Sequence, residues 1–298
     1  MFTGSLVALV TPFRKGEVDV EALKRLVDWQ IREGTQGLVP CGTTGESATL
    51  SVEEHHQVVA LTVEAAAGRV PVLAGTGSNN TAEAIQLTRA AKQAGAAGAL
   101  LIAPYYNKPT QEGLYRHYLA VAEATDFPFV LYNIQSRTGV NVQPATIARI
   151  ARACPLLVGV KEASGDLKQI GALATLLDPA KVAILSGDDA LTLPIAAVGG
   201  KGVISVVANL LPGKTAAFTA ACLAGDLVRA RAINGELLPL VQALFTETSP
   251  GPLKAAMAMA GLCDEEIRLP LVPAGEGTRA KLREAMQAAG VAPAGAPA

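Results

Sequence analysis

Apolar residues along this chain fall into short runs that alternate with longer stretches of three- to four-residue periodicity. The runs at 5–10, 37–40, 71–74, 98–103, 129–132, 156–160, 182–186 and 202–206 are each bounded by glycine, proline or polar turns. Short apolar runs of this kind predict strands buried on both faces. The stretches at 20–33, 52–66, 81–94, 112–124, 144–153 and 167–177 have amphipathic helical spacing, and a helix follows each of the last two strands as well. Eight alternating strand–helix units predict a parallel sheet, and in a chain of 298 residues a closed (β/α)₈ barrel of the TIM type. An open, doubly wound sheet would share the same periodicity. Ser51 with Glu54, and Asn80 with Glu83, predict capping boxes, and Pro144 and Pro212 suit first helical positions. Further helical patterns at 226–245, 252–260 and 278–289 predict a C-terminal helical appendage. The chain thus divides into a barrel at 1–224, a helical region at 225–289, and a small-residue, proline-rich end at 290–298 expected to be disordered.

One stretch in this pattern carries chemistry. In LLVGVKEASG at 156–165 an apolar run leads straight into Lys161 and then a polar turn. Strand alternation puts Leu157, Gly159 and Lys161 on one face, with Val158 and Val160 on the other. An ammonium at the inner end of a buried strand is desolvated, which favours the neutral amine. A neutral amine is a nucleophile suited to imine formation with a carbonyl substrate. The competing expectation is a lysine that snorkels to the sheet rim or pairs with Glu162.

The ends of the other strands add to this picture, because a barrel of this type places its site at the carboxyl ends of its strands. Cys41-Gly-Thr-Thr-Gly-Glu46 follows the second strand, GTGSNN the third, PYYNKP the fourth, YNIQSRTG the fifth and Ser186-Gly-Asp-Asp189 the seventh. Three of the five tyrosines, Tyr105, Tyr106 and Tyr132, fall at two of these ends, where packing alone would scatter them. Gly42, Thr43, Thr44 and Gly45 offer hydroxyls and backbone N–H groups before a helix, either as an anion cradle or as a tight capped loop. Arg137 is either a solvated charge or a clamp for a carboxylate. GTGSNN lacks the third glycine of a dinucleotide fingerprint. Cys41 has no evident base partner in His55, His56 or His117 and suits a small buried position. No cluster has metal-ligand spacing, so no catalytic metal is expected.

Composition narrows the function classes. With 25 basic and 26 acidic residues and no long run of either sign, the chain is not built for nucleic acid or an anionic membrane. Half of its residues are hydrophobic and its mean hydropathy is +0.32, enough for an extensive core. No apolar run is long enough to span a bilayer, and the N-terminus lacks the pattern of a secretory signal. The four scattered cysteines fit reduced thiols and a cytoplasmic setting.

Taken together, GLVPCGTTGESATL at 37–50, PYYNKP at 104–109, YNIQSRTG at 132–139, GVKEASGD at 159–166, GDDA and GGKGVISV resemble the dihydrodipicolinate synthase family. The resemblance runs in one order from about residue 2 to residue 273. That family lies within the pyruvate-dependent class I aldolase superfamily. The resemblance implies condensation of pyruvate with L-aspartate 4-semialdehyde in lysine (diaminopimelate) biosynthesis, through a Lys161 Schiff base and without a cofactor. It further implies a proton relay of Tyr132, Thr43 and Tyr106, and a pyruvate carboxylate held by Thr44 and the Gly42–Gly45 backbone. Ile204 would line the pocket, and Arg137 would bind the aldehyde's carboxylate. Tyr106 would reach into a neighbouring subunit's site, implying a tight homodimer, commonly paired into a tetramer. Lysine-inhibited members bind L-lysine at positions matching Ser47, Ala48, His55, Asn79, Glu83 and Tyr105. Gln135 departs from the pattern, since many relatives have a proline there that would fix φ. A sibling aldolase or dehydratase acting on another aldehyde is the nearer alternative, against which Arg137-Thr138-Gly139 argues. A non-catalytic carboxylate-sensing barrel would need the cradle but not Lys161 with a tyrosine relay.

Overall fold

The computed structural model describes residues 2–292. Eight parallel strands form its centre: β1 Gly4–Ala8, β2 Gly37–Val39, β3 Leu73–Gly75, β4 Gly98–Ile102, β5 Phe129–Asn133, β6 Leu157–Glu162, β7 Ala183–Ser186 and β8 Gly202–Ser205. They are hydrogen-bonded in the order β2-β1-β8-β7-β6-β5-β4-β3. A parallel bridge between Leu38 and Val72 joins the two ends, and Gly75 N donates to the Pro40 carbonyl at 2.9 Å. The sheet therefore closes into the barrel that the alternation predicted. A helix follows every strand: α1 Val20–Arg32, α2 Val52–Ala66, α3 Thr81–Gln93, α4 Gln111–Thr125, α5 Pro144–Ala153, α6 Leu167–Leu176, α7 Thr192–Ala197 and α8 Pro212–Leu223. The spacing did not predict the small antiparallel hairpin of Phe13–Arg14 with Glu17–Val18, which lies between β1 and α1.

Two apolar layers hold this arrangement. Leu6, Val39, Leu73, Leu100, Val130, Leu185 and Ile204 fill the barrel interior. Their outward-pointing neighbours, among them Val7, Leu38, Leu101, Leu131 and Val160, pack under the helices. Strands buried on both faces must be apolar throughout, which is why they read as runs rather than as alternations.

Strand β6 corrects one expectation. The register between β5 and β6 shifts between Phe129 and Val130, so Phe129 pairs with Leu157 but Val130 with Gly159. The extra residue, Val158, packs toward the barrel interior, while Leu157 joins Val160 in the outer layer. Leu157 and Val158 therefore exchange the faces that strict alternation assigned them, as a bulge requires. Gly159, Val160 and Lys161 keep theirs.

Helix starts are mostly as expected. Ser51 accepts from Glu54 N, and Glu54 reaches back to Ser51 N at 2.9 Å, completing the capping box of α2. Pro144 and Pro212 occupy first-turn positions. The second capping box does not form. Asn80 caps Ala82 N at 3.0 Å, but Glu83 turns to the Ser78 hydroxyl, and Asn80 N donates to that same hydroxyl. The competing acceptor one loop earlier captures the carboxylate.

The C-terminal appendage consists of α9 Leu227–Leu244, α10 Gly251–Met259 and α11 Glu276–Ala289. Helix α10 is buried almost throughout, Lys254 included. Of the end expected to be disordered, Gly290 caps α11 with φ 79° and Val291 N donates to the Met286 carbonyl at 2.9 Å. Residues 293–298 lie outside the described residues. No helix among the described residues is long and apolar enough to cross a membrane.

Candidate active site

Lys161 sits near the carboxyl end of β6, paired in register with Tyr132 of β5 and Leu185 of β7. It is 6% exposed. Burial is the main reason its pKa falls to about 7; the negative charge of Asp189 pulls it back up, and Arg137 adds to the fall. Its Nζ lies 4.1 Å from the centroid of the Tyr132 ring. Glu162 does not pair with it. That carboxylate points to the other side of the strand, accepting from Ser164 N at 2.8 Å and from Asn133 Nδ2 at 3.2 Å. The reason the methylene stem of Lys161 can lie along β7 is Gly187. A Cβ there would come within 3.1 Å of both Cγ and Cε of Lys161 and 2.7 Å of the Ala163 Cβ.

Tyr132 is 4% exposed, and burial pushes its phenol up to about 12, with Thr43 and Arg137 pulling in the opposite direction. At neutral pH it is a protonated donor beside an amine that is substantially neutral. An unprotonated nucleophile and an adjacent acid are the two groups that imine chemistry requires.

Tyr132 also borders a small pocket of about 30 Å³, whose other walls include Gly42, Thr43, Ser47, Leu100 and Ile102. Cys41, Gly42 and Thr43, at the start of the loop that runs to Glu46, form one side of it. Thr11 Oγ1 donates to the Gly45 carbonyl at 2.7 Å, Glu46 N to the Thr43 carbonyl at 3.1 Å and Ser47 N to the Gly42 carbonyl at 3.3 Å. Among the described residues, none accepts a hydrogen bond from the N–H groups of residues 42–45. Donors held in a tight loop with no internal acceptor can receive an anion. The loop is packed too closely for larger residues, since a Cβ on Gly75 would fall 2.2 Å from the Cys41 carbonyl oxygen. Gly75 of GTGSNN thus serves this close approach of backbones, and Gly77 a second one, where a Cβ would fall 2.3 Å from Ile102 N. Cys41 is buried, burial raises its thiol pKa, and its Sγ faces the His55 carbonyl at 3.7 Å.

Gly42 and Thr43 line one pocket with Tyr132, Lys161 lies over the Tyr132 ring, Ile204 shares the interior layer with Tyr132, and Thr44 and Gly45 continue the loop after Thr43. Ile204 is 1% exposed in the interior layer beside Leu6, its register partner. Arg137 stands at the rim, exposed, with Nη2 donating to the Ser249 carbonyl at 3.3 Å. Its turn is ordered without the proline. Gln135–Thr138 forms a helical turn in which Arg137 N and Thr138 N donate to the Ile134 carbonyl, and Gly139 N to that of Gln135. Tyr106 is not brought in. It is 88% exposed, with φ 71°, and is not among the residues lining the pocket bordered by Tyr132.

Residues of the expected lysine set lie beyond the second, third and fourth strand ends. His55 Nε2 meets the Gly75 carbonyl at 2.7 Å, Asn79 O accepts from Asn107 Nδ2 at 3.0 Å, and Glu83 holds Ser78. Burial is the largest influence on His55 and lowers its pKa, while nearby Glu83 opposes it. Ser47 is half-buried, and Ala48 and Tyr105 are exposed.

Gly187 and Asp189, in the motif that follows the seventh strand, have roles that the spacing did not predict. Asp189 is 7% exposed and accepts from Val206 N at 2.8 Å and Val207 N at 3.1 Å, with Ser205 beside it. Burial raises its pKa, and it is the one group named above that opposes the loss of the Lys161 proton. The signal was available: two carboxylates after a glycine at a strand end. No group of three or more His, Cys, Asp or Glu among the described residues is arranged to hold a metal ion.

Comparison with known proteins fits this geometry. A model of the Dihydrodipicolinate synthetase family matches residues 1–289. A 4-hydroxy-tetrahydrodipicolinate synthase of Syntrophus aciditrophicus is 54% identical over 287 residues, 96% of this chain and 98% of the relative. The chloride-inhibited dihydrodipicolinate synthase from Acinetobacter baumannii, solved in complex with pyruvate, superposes with a TM-score of 0.96 at 46% identity, covering 98% of this chain and all of that one. DHDPS from Cyanidioschyzon merolae with lysine bound gives a TM-score of 0.95 at 39% identity, covering 98% and 99%.

The depressed pKa of Lys161 leads to a direct test. In competitive labelling with acetic anhydride, its reactivity should be half-maximal near pH 7, falling about tenfold per pH unit below that. Surface lysines should keep gaining reactivity through pH 9. A Lys161 profile that coincides with theirs would show that it is an ordinary solvated ammonium.

Proposed function

The chain belongs to the dihydrodipicolinate synthetase family, and on that premise we propose that it condenses pyruvate with L-aspartate 4-semialdehyde through an imine at Lys161. The observation that carries the reading is a buried lysine with a pKa near 7, over the ring of a protonated tyrosine that itself borders the pocket beside the loop after β2. The pyruvate carboxylate occupies the cradle of residues 42–45, with Thr44 as a hydroxyl donor, and the keto carbon faces Lys161 Nζ. Attack by the amine gives a carbinolamine, whose oxygen leaves as water after taking a proton. The cationic imine then draws electrons from the methyl group, which loses a proton to become an enamine carbon. That carbon adds to the aldehyde, and the amine of the second substrate displaces Lys161 as the ring closes. No metal or organic cofactor enters this scheme. Tyr132, with Thr43 beside it, moves the protons; Arg137 takes the carboxylate of the aldehyde substrate at the rim; Ile204 closes the wall behind the methyl group.

Tyr106 completes the relay from a second copy of the chain. Its exposure and left-handed backbone support this role, since an aromatic residue held in that conformation and pointing outward has no packing reason to be there. The working form is then a tight dimer, with a dimer of dimers as the larger assembly.

We read the ends of β2 and β3 as an L-lysine site at the dimer interface. The Gly75 carbonyl takes the Nε2 proton of His55, which leaves Nδ1 as a buried acceptor with no partner among the described residues. A neutral imidazole acceptor, with Ser47 and the Ala48 carbonyl, suits the distal ammonium. Glu83 suits the α-ammonium, and Asn79 with Tyr105 the carboxylate.

Borohydride reduction in the presence of pyruvate should add a reduced pyruvyl group at Lys161 and at no other lysine, as read by peptide mass spectrometry. An intact adduct in Lys161→Ala would remove the mechanism. Tyr132→Phe should melt like the parent and lose roughly 10²–10⁴ in turnover, the usual cost of a missing acid–base group; unchanged turnover would take Tyr132 out of the relay. Calorimetric titration with L-lysine should show binding that pyruvate shifts, and that Glu83→Ala abolishes. No heat with the parent at millimolar lysine would end the regulatory reading.

A further inference from the structure

Two non-glycine residues with left-handed backbone bracket the anion cradle, Cys41 at φ 54° and Glu46 at φ 53°. This conformation strains an L side chain and persists only where the surroundings hold it. At Cys41 the hold is the close approach of the Gly75 backbone. At Glu46 it comes from the far end of the chain. The Glu46 carboxylate is buried and pairs with Nζ of Lys254, a fully buried residue of α10. It also accepts from Arg268 N at 3.1 Å. Lys254 donates in turn to the Glu266 carbonyl at 2.7 Å. The Lys254 ammonium and the Arg268 guanidinium each lie 4.2 Å from the centroid of the Phe13 ring. Arg268 continues to the Thr49 carbonyl at 3.0 Å and to the Glu54 carboxylate at 2.6 Å, so the appendage grips both ends of the segment that leads into α2.

A buried ion pair is an inefficient way to stabilise a fold, because desolvation of both charges offsets most of their attraction. An apolar contact would seal the same space. What the pair supplies instead is direction: a carboxylate aimed at one ammonium and one N–H fixes the backbone that carries it. That backbone belongs to the residue directly after Gly45.

We propose that Lys254 and Glu46 are positioning residues for the cradle, and that the C-terminal appendage thereby sets the affinity for pyruvate. The proposal rests on the assignment of the pyruvate carboxylate to residues 42–45. Neither side chain touches the substrate. Both act through the orientation of the backbone N–H groups and hydroxyls that do.

Three variants test it, each read by steady-state kinetics, borohydride trapping and thermal melting. Lys254→Met leaves Glu46 buried without its cation, and should lower the melting temperature and raise KM for pyruvate together. The double variant Lys254→Met with Glu46→Gln removes both charges and keeps an acceptor for Arg268 N. It should regain most of the melting temperature while KM for pyruvate stays about tenfold or more above the parent, the order of loss a misplaced binding group causes. Its kcat at saturating pyruvate and its KM for the aldehyde should stay within about threefold of the parent. A double variant with the parent's KM would overturn the proposal and leave the pair as packing. Should the double variant melt well below the parent, the isosteric Glu46→Gln decides alone, and the parent's KM in that variant overturns the proposal equally. Absence of a pyruvate adduct in the parent would overturn both the underlying assignment and this one. An adduct in every protein with an unchanged KM would overturn only this one.

Discussion

Removal of one ammonium from water is the constraint on which this site depends. The fall of Lys161 from its ordinary 10.5 to about 7 corresponds to on the order of 5 kcal/mol against the charged form. A lysine at the end of a lone strand would simply extend into solvent. The closed barrel prevents that, because neighbours on both sides and Leu185, Ile204 and Tyr132 in the interior layer leave the side chain one direction only. Gly187 is part of the same constraint, since any side chain there would push the lysine stem off its path. Asp189 sets the limit. It sits close enough to hold some positive charge at Lys161, yet is tied to the Val206 and Val207 backbone rather than to the amine itself.

The rest of the molecule fixes the loop after β2 and the turn that carries Arg137. The cradle after β2 is tight because backbones approach one another at Gly75 and Cys41, and because Glu46 is held from outside the barrel. Arg137 is held from the same quarter, by the Ser249 carbonyl just ahead of α10. Both the loop after β2 and Arg137 are therefore tied by direct contacts to the C-terminal region. This division suits an enzyme of its type: strands provide rigidity at the reacting atoms, and the appendage sets the loops that carry charge.

The strand and helix positions were legible because each element satisfies its own local requirement. Runs buried on two faces must be apolar, and helices must show a stripe, so α2 and α5 fall where the spacing put them and most other ends move by a residue or two. Local rules failed where two partners competed for one group. Glu83 could have closed a capping box but was taken by Ser78. Leu157 and Val158 obeyed the register of β5 rather than the alternation of their own strand. The hairpin at Phe13 was too short to leave a periodic signal, although its ring turns out to seat two cations from the other end of the chain.

The sequence by itself determined the alternation of elements, the apolar strand that ends in Lys161, and the set of polar residues at the strand ends. These are local properties, written in the order of residue types and in spacings of a few positions. Only the tertiary structure decided which of them meet. The register of β6 against β5 set Lys161 over the Tyr132 ring, the fold of the third strand end opened an acceptor on His55, and Tyr106 was left exposed at the surface. The pairing of Glu46 with Lys254 lay furthest from reach, because more than two hundred residues separate the two and nothing in the spacing of either announces the other. Contacts between distant parts of a chain are fixed by the closure and packing of the whole barrel, and that information is carried by no single stretch of it.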